Sequence, residues 1–222
     1  MSAILTVASA KGGCGKSALT TVLAVMLATQ GRNVAVVDAD PNKGFSSWHS
    51  DAYEGPSLTV SAECDHLAIV DHVQALAETH DVTLVDTAGF SNQCAAMAMG
   101  TADLVLIPVL PDRQSVVEGM RTAKHVGNFG KAARREIPFR IVLSRWTPKG
   151  LVERALLADL QGASLPIICQ HLSDLSDFRK FTVSGSVPTI GKAAEQTTLI
   201  INELISAGIL PPQPSKVRKE VA

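Results

Sequence analysis

Ala10-Lys11-Gly12-Gly13-Cys14-Gly15-Lys16-Ser17 is the stretch that decides the fold. It stands between an apolar run at residues 4–8 and a run at 16–30 that is apolar nearly all round. The first reads as a short strand, the second as a buried helix stopped by Gly31. A glycine loop that leaves a strand and opens a helix is the context a phosphate cradle needs. Glycines let the chain turn tightly, so successive N–H groups point at one anion, and the helix N-terminus adds positive dipole. Lys16 can then reach the β- and γ-phosphates, and the Ser17 hydroxyl can ligate Mg²⁺. The match to G-x-x-x-x-G-K-[ST] fails at its first position, Ala10, and the extra lysine, Lys11, is what the ordinary pattern does not explain. The bland alternative is a glycine-rich turn with two solvated lysines.

Outward from the loop, strands and helices alternate. Residues 33–38, 82–86, 103–109 and 139–144 are apolar, β-branched runs, with weaker strands at 58–62 and 165–169. Helical patterns fall at 65–79, 91–100, 114–128, 151–161, 173–181 and 192–207, and 41–50 reads as a polar loop or short helix. Strands that are apolar without alternation are buried on both faces, and strands alternating with helices predict an α/β fold. The expected architecture is a doubly wound, mostly parallel sheet with helices on both faces, whose ligands bind outside the carboxyl ends of the strands. One domain is expected over residues 1–210, followed by a Pro-rich, basic and mobile tail at 211–222.

Two further strands end in acids. In Val34-Ala35-Val36-Val37-Asp38-Ala39-Asp40-Pro41, two carboxylates lie two residues apart, and both can approach the phosphate loop if this strand neighbours the first. One could hold a magnesium-bound water and the other orient the attacking water; the alternative is an Asx turn capping the next helix. Val82-Thr83-Leu84-Val85-Asp86-Thr87-Ala88-Gly89 suits an outer-sphere magnesium ligand followed by a γ-phosphate-sensing loop.

The deviant phosphate loop, the Asp38-Ala39-Asp40-Pro41 and Asp86-Thr87-Ala88-Gly89 segments, and Ala102-Asp103-Leu104-Val105-Leu106-Ile107-Pro108-Val109 together resemble the ParA/MinD family of P-loop ATPases. The likeness covers about residues 3–208 and is closest to short ParA-type partition ATPases, whose Asp-Pro-Asn-Lys-Gly-Phe-Ser-Ser-Trp stretch is similar to residues 40–48. The resemblance implies an ATP-dependent homodimer that sandwiches two ATP molecules. Lys11 would cross to the partner's phosphates, as an arginine finger does. Gly12, Gly13, Cys14, Gly15, Lys16, Ser17 and Ala18 would hold the nucleotide. Asp40 would position the attacking water beside the catalytic Lys11 and Lys16. Ser17, Asp38 and Asp86 would serve the Mg²⁺. Arg145 would stack on the base, with Ser144 where the family usually has Asn. It also implies slow ATP hydrolysis stimulated by DNA and by a ParB-like or other small adaptor protein. The expected role is plasmid or chromosome segregation on the nucleoid, in the cytoplasm. Alternatives are the positioning of a protein cargo, aid to conjugative DNA transfer, or a metabolic phosphoryl-transfer enzyme on the same fold.

Charge position bears on the nucleic-acid expectation. The formal net charge of the 222 residues is −1. Residues 1–111 hold 4 Lys+Arg against 11 Asp+Glu, which is −7, and residues 112–222 hold 16 against 10, which is +6. Such asymmetry points to an anionic partner for the second half. On the helix at 114–128, Arg121, Lys124 and Asn128 share a face, with Lys131, Arg134 and Arg135 following, while Arg179 and Lys180 lie in the late helix where the family resemblance places DNA contacts. Arg121, Lys124, Arg179 and Lys180 are therefore the candidate contacts to nonspecific double-stranded DNA, through phosphates rather than bases. For any single one, a solvated surface charge is the alternative.

Composition excludes other classes. Hydrophobic residues make up 46% and charged ones 18%, so the chain is not a disordered one. Aromatics are only 4%, so the core must be aliphatic and base stacking is a poor expectation. No apolar run approaches the roughly 20 residues of a membrane span. The N-terminal residues lack the charged region of a signal peptide. Pro211-Pro212-Gln213-Pro214 breaks the chain where a membrane-targeting helix would have to form. Cys14, Cys64, Cys94 and Cys169 have no CxxC spacing, and the six histidines show no ligand spacing.

Overall fold

The computed structural model describes residues 2–89, 92–147 and 149–213. Seven parallel strands form one sheet: β1 (Ala3–Val7), β2 (Val34–Ala39), β3 (Thr59–Ala62), β4 (Val82–Thr87), β5 (Leu104–Val109), β6 (Phe139–Ser144) and β7 (Ile167–Leu172), in the order β3-β2-β4-β1-β5-β6-β7. Every residue of β2, β4 and β5 is buried. Alternate side chains feed opposite layers: Val36, Leu84, Leu104 and Leu106 join one core cluster, while Val37, Val85, Val105 and Ile107 join the clusters behind the sheet. That is why these strands read as unbroken apolar runs.

The first layer comprises α1 (Lys16–Thr29), α2 (Gly44–Asp51), α7 (Asp177–Ser184) and α8 (Lys192–Ser206). The second comprises α3 (Ile69–Thr79), α4 (Gln93–Thr101), α5 (Arg113–Ala132) and α6 (Leu151–Gly162). The expected doubly wound sheet with helices on both faces is therefore present. Its core is aliphatic apart from a small aromatic group, in which Trp48 packs against Phe45, Tyr53 and Phe181 and donates from Nε1 to the Phe181 carbonyl at 3.0 Å. Trp146 is also a packing residue, 2% exposed.

Three details depart from the sequence reading. β2 is not the neighbour of β1, because β4 lies between them; Asp40 reaches the cavity of the loop across a strand that brings an acid of its own. α7 starts at Asp177 rather than at 173, since the Ser173 N–H is taken by the Gln196 side chain and the Leu175 N–H by the Ser173 carbonyl, which makes a turn. β7 starts two residues late and runs to Leu172, after a turn with Ser164 at φ 54°. Of the expected tail, residues 214–222 lie outside the described residues. Gln213 donates to the Gln30 carbonyl at 3.3 Å.

Gly185 ends α7 at φ 69° and packs on the end of α2, where its carbonyl accepts from the Glu54 N–H at 3.0 Å. A Cβ there would collide with the Ala52 carbonyl. Gly185→Ala is expected to destabilise the fold by about 2–4 kcal/mol, read as a melting temperature lower by roughly 5–15 °C.

Candidate functional site

The loop between β1 and α1 turns through Gly13 at φ 71° and Gly15 at φ 91°, both in the left-handed region that glycine enters without strain. It is pinned to α5 by the Ala10 N–H, which donates to Thr122 Oγ1 at 3.1 Å. Lys16 is 8% exposed and folds back over the loop, with Nζ donating to the Lys11 carbonyl at 3.4 Å. The exposed N–H groups, the start of α1 and this ammonium converge on one anion position.

A cavity of about 610 Å³ opens there, lined by Gly12, Gly13, Gly15, Lys16, Ser17, Ala18, Asp40, Pro41, Asn42, Ala88, Gly89 and Asn92. Most of the predicted nucleotide-binding residues, and Asp40, thus share one wall. Cys14 is fully buried, so only its backbone can serve a ligand. Asp40 is half-buried, and its Oδ1 accepts from the Asn42 N–H and side-chain amide, both at 2.9 Å.

Asp86 is the register partner of both Val7 and Asp38. It is 1% exposed, and its Oδ2 has no hydrogen-bond partner. Oδ1 lies 3.4 Å from the Thr20 hydroxyl, and the Ser17 hydroxyl stands near enough to favour the ionised carboxylate. Burial, reinforced by Asp38 and Asp40 and opposed by Ser17 and Lys16, pushes this carboxyl up to about 7. A buried carboxylate with a free oxygen, beside a hydroxyl and two further acids, fits a divalent cation. Ser17 and Asp86 are the residues that could hold Mg²⁺ there. Asp38 is fully buried and both of its oxygens accept backbone N–H groups, from Asp40 at 3.2 Å and Ser46 at 2.8 Å. Its visible task is therefore to brace the turn into α2, the Asx-turn alternative of the sequence reading.

Lys11 Nζ lies 2.9 Å from both carboxylate oxygens of Asp112. Burial raises the Asp112 carboxyl, but Lys11 and the Ser115 N–H outweigh it and hold it below its usual value. On the other side of the loop, Arg145 is presented at φ 56° into a second pocket with Gly15, Ala18, Ser144, Asp174, Phe178 and Arg179. The Ser144 hydroxyl there is buried without a partner. This pocket shares Gly15 and Ala18 with the phosphate cavity, so the predicted base-side Arg145 stands next to the loop.

The four candidate DNA residues are not brought together. Arg121 pairs with Glu118 at 2.9 Å and lines a cavity with Lys11 and Gly12. Arg179 lies 4.0 Å from Asp174 in the base-side pocket, and Lys180 pairs with Asp177 at 3.6 Å. Lys124 is exposed on α5. Sequence reasoning missed Asn42, Asn92, Thr20 and Asp112. Thr20 stands three residues after Ser17, one helical turn on. Asp112 and Asn92 carry helix N-cap signals, accepting from the Ser115 and Cys94 N–H groups.

The family model described as "VirC1 protein" matches residues 2–190. The chain belongs to this family. It is 27% identical over 208 residues to the "Maintenance of carboxysome distribution protein A" of Halothiobacillus neapolitanus, covering 90% of this chain and 95% of that protein. It is 29% identical over 145 residues to "Protein ParA" of Rhizobium radiobacter, covering 65% of each. Among solved structures, the ATP complex of a Cyanothece McdA variant superposes with a TM-score of 0.78 at 16% identity, covering 94% of this chain and 97% of that one. The ParA/MinD resemblance read from the loop and the acidic strand ends thus agrees with the relatives and with the fold.

Asp86→Asn separates the cost of the buried carboxylate from its use. Because the folded carboxyl is raised, it favours folding below the unfolded value near 3.9, and that contribution is lost as pH rises through about 7. Without nucleotide at pH 8, Asp86→Asn is expected to raise the melting temperature by roughly 2–6 °C, with little change at pH 5. The gain should vanish, and Mg²⁺-dependent nucleotide binding should fall, when Mg²⁺ and ATP are added; calorimetry at both pH values checks this.

Proposed function

We propose that this VirC1-family chain is an ATPase that dimerises on ATP, binds duplex DNA without sequence preference and drives plasmid or chromosome segregation through adaptor-stimulated hydrolysis. The observation that carries the reading is the division of labour between two lysines on one loop. Lys16 lies over the anion position. Lys11 points away from it to a carboxylate on α5, a pairing that a second phosphate site, that of a partner subunit, would replace. Its ion pair is partly exposed, 22% on the lysine and 43% on the aspartate. Pairs of that kind contribute about 0–1 kcal/mol, little enough for a phosphate to displace Asp112.

Asp40, which lines the cavity with the glycines, is the group to orient the attacking water, and its hydrogen bonds from Asn42 hold the carboxylate in place. Mg²⁺, held by Ser17 and Asp86 with Asp38 behind them, would neutralise charge on the β- and γ-phosphates. Arg145 would stack on the base, next to the buried Ser144 hydroxyl. Nonspecific DNA contact through Arg121, Lys124, Arg179 and Lys180 rests on the +6 charge of residues 112–222. A ParB-like adaptor is the stimulating partner, and the nucleoid the site of action.

A second reading keeps the ATPase and changes the cargo to a protein assembly or a strand in conjugative transfer. The relative matched over 95% of its length is named for carboxysome distribution, and that favours it.

Lys11→Ala is expected to bind ATP within about threefold of the parent while losing at least roughly 10³-fold of stimulated hydrolysis. Full stimulated turnover by the variant would remove Lys11 from catalysis. Asp40→Ala is expected to trap an ATP-bound dimer, seen by sedimentation with and without ATP; a variant that sediments as a monomer with ATP would contradict the assignment.

A further inference from the structure

α5 leaves the nucleotide end at its N-cap Asp112 and runs 20 residues to Ala132, roughly 30 Å at 1.5 Å per residue. Beyond its far end the chain folds back onto the helix: Arg135 N–H donates to the Gly130 carbonyl at 3.0 Å, and a Cβ on Gly130 would lie 2.7 Å from the Arg135 carbonyl. With the start of β6 this forms an open groove of about 780 Å³. Its lining includes Lys131, Arg134, Arg135 and Arg140, against one acid, Glu136, among the described residues. Arg134 stands at φ 52°, where glycine or asparagine is the usual choice, so a long cation occupies the turn that ends the helix.

Ion pairs separate this groove from Lys11 and from three of the four candidate DNA residues. Lys11, Arg121, Arg179 and Lys180 each face a carboxylate within 4.0 Å. Among the described residues, none of the four groove cations is in an ion pair. Arg135 braces the groove by donating to the Gly100 and Ala102 carbonyls, and Arg140 donates to the Phe139 carbonyl at 2.9 Å. Lys124 lies two helical turns before Lys131 on the same face of α5, extending the strip of positive charge. None of the large exposed apolar side chains lies in the lining, which argues against insertion into a lipid layer.

We propose that this groove, and not the late helix, is the seat for the phosphate backbone of duplex DNA. Guanidinium groups match phosphate oxygens, and an open groove with four cations and one half-buried aromatic, Phe139, suits sequence-independent contact. The inference rests on the DNA-binding reading above and names its surface.

The test is fluorescence anisotropy of the full chain with Mg²⁺ and ATP on two unrelated duplexes of equal length, over a series of salt concentrations. Lys131→Gln, Arg134→Asn and Arg140→Gln are combined; asparagine tolerates the left-handed backbone at 134, and Arg135 is left to brace the turn. The combined variant is expected to bind both duplexes at least roughly tenfold more weakly, with a log–log salt slope smaller by about 2–3 and unchanged basal ATP hydrolysis. Lys124→Gln with Lys131→Gln, both exposed on α5, carries little folding risk and should reduce the slope by about 1–2. Parental affinity and slope in both variants, while the parent binds DNA, would overturn the groove and leave the DNA reading standing. Loss of binding in Arg179→Gln/Lys180→Gln alone would have the same meaning. A parent that binds no duplex at low salt overturns both, and groove-dependent binding of polyglutamate or phosphatidylglycerol vesicles would then give the surface to an acidic peptide or a lipid.

Discussion

The arrangement of the site depends on one electrostatic conflict. The register of β2 and β4 sets Asp38 and Asp86 side by side at the carboxyl edge of the sheet, with Asp40 one step beyond. Like charges this close and this buried raise each other's energy unless a cation or N–H donors intervene. Asp38 resolves its share with two backbone N–H groups. Asp86 does not: it keeps a free oxygen, and burial lifts its carboxyl to about 7. Such a group is a cost to the fold that a bound cation would offset. Stability given up at a site of this kind is the usual counterpart of ligand affinity.

The same edge explains why one helix matters to the loop more than its neighbours do. α5 touches the loop twice, through Thr122 at Ala10 and through Asp112 at Lys11. The first contact is a neutral hydrogen bond from backbone to hydroxyl. The second is a half-exposed ion pair between groups 101 residues apart. One anchors the loop, while the other is weak enough to be exchanged. Release of Lys11 would leave Asp112 its N-cap bond to Ser115, so α5 keeps its start while the lysine moves.

What was legible in the sequence is what short-range patterns encode. Apolar runs without alternation gave buried parallel strands, because each residue faces one of two helical layers. Glycines before Lys16 gave the cradle, and the strand-end acids fell on its side of the sheet, Asp40 on the cavity and Asp38 and Asp86 buried beneath, since parallel strands all end on one edge. The strand order was not legible: nothing local in residues 33–40 says that β4 would lie between β2 and β1. The partner of Lys11 was hidden for the same reason, as Asp112 is distant in sequence and reads as a cap. Asp38 shows a different limit. The Asp-x-Asp pattern suits both a metal ligand and an Asx turn, and only the Ser46 N–H, eight residues on, shows which bonds the carboxylate makes. The basic residues of the second half were visible as a count, but their pairing was not. Whether a cation is spent on a neighbouring carboxylate depends on rotamers and turns that charge arithmetic does not contain.

Charge separation along α5 gives the near-neutral total a physical meaning. Asp38, Asp40 and Asp86 of the first half lie where the sheet ends, and Lys131, Arg134, Arg135 and Arg140 of the second half line the groove at the opposite end of α5. The separation, roughly 30 Å along the helix, is several times the Debye length of about 8 Å at physiological ionic strength. A polyanion held in the groove would therefore barely repel the carboxylates that surround the phosphate cavity. A polyanion held by Arg179 would sit at the mouth of the base-side pocket, beside the phosphates of a bound nucleotide, where two anions would compete for the same field. If nucleotide and nucleic acid are to be held at the same time, the far end of α5 is the electrostatically permitted place.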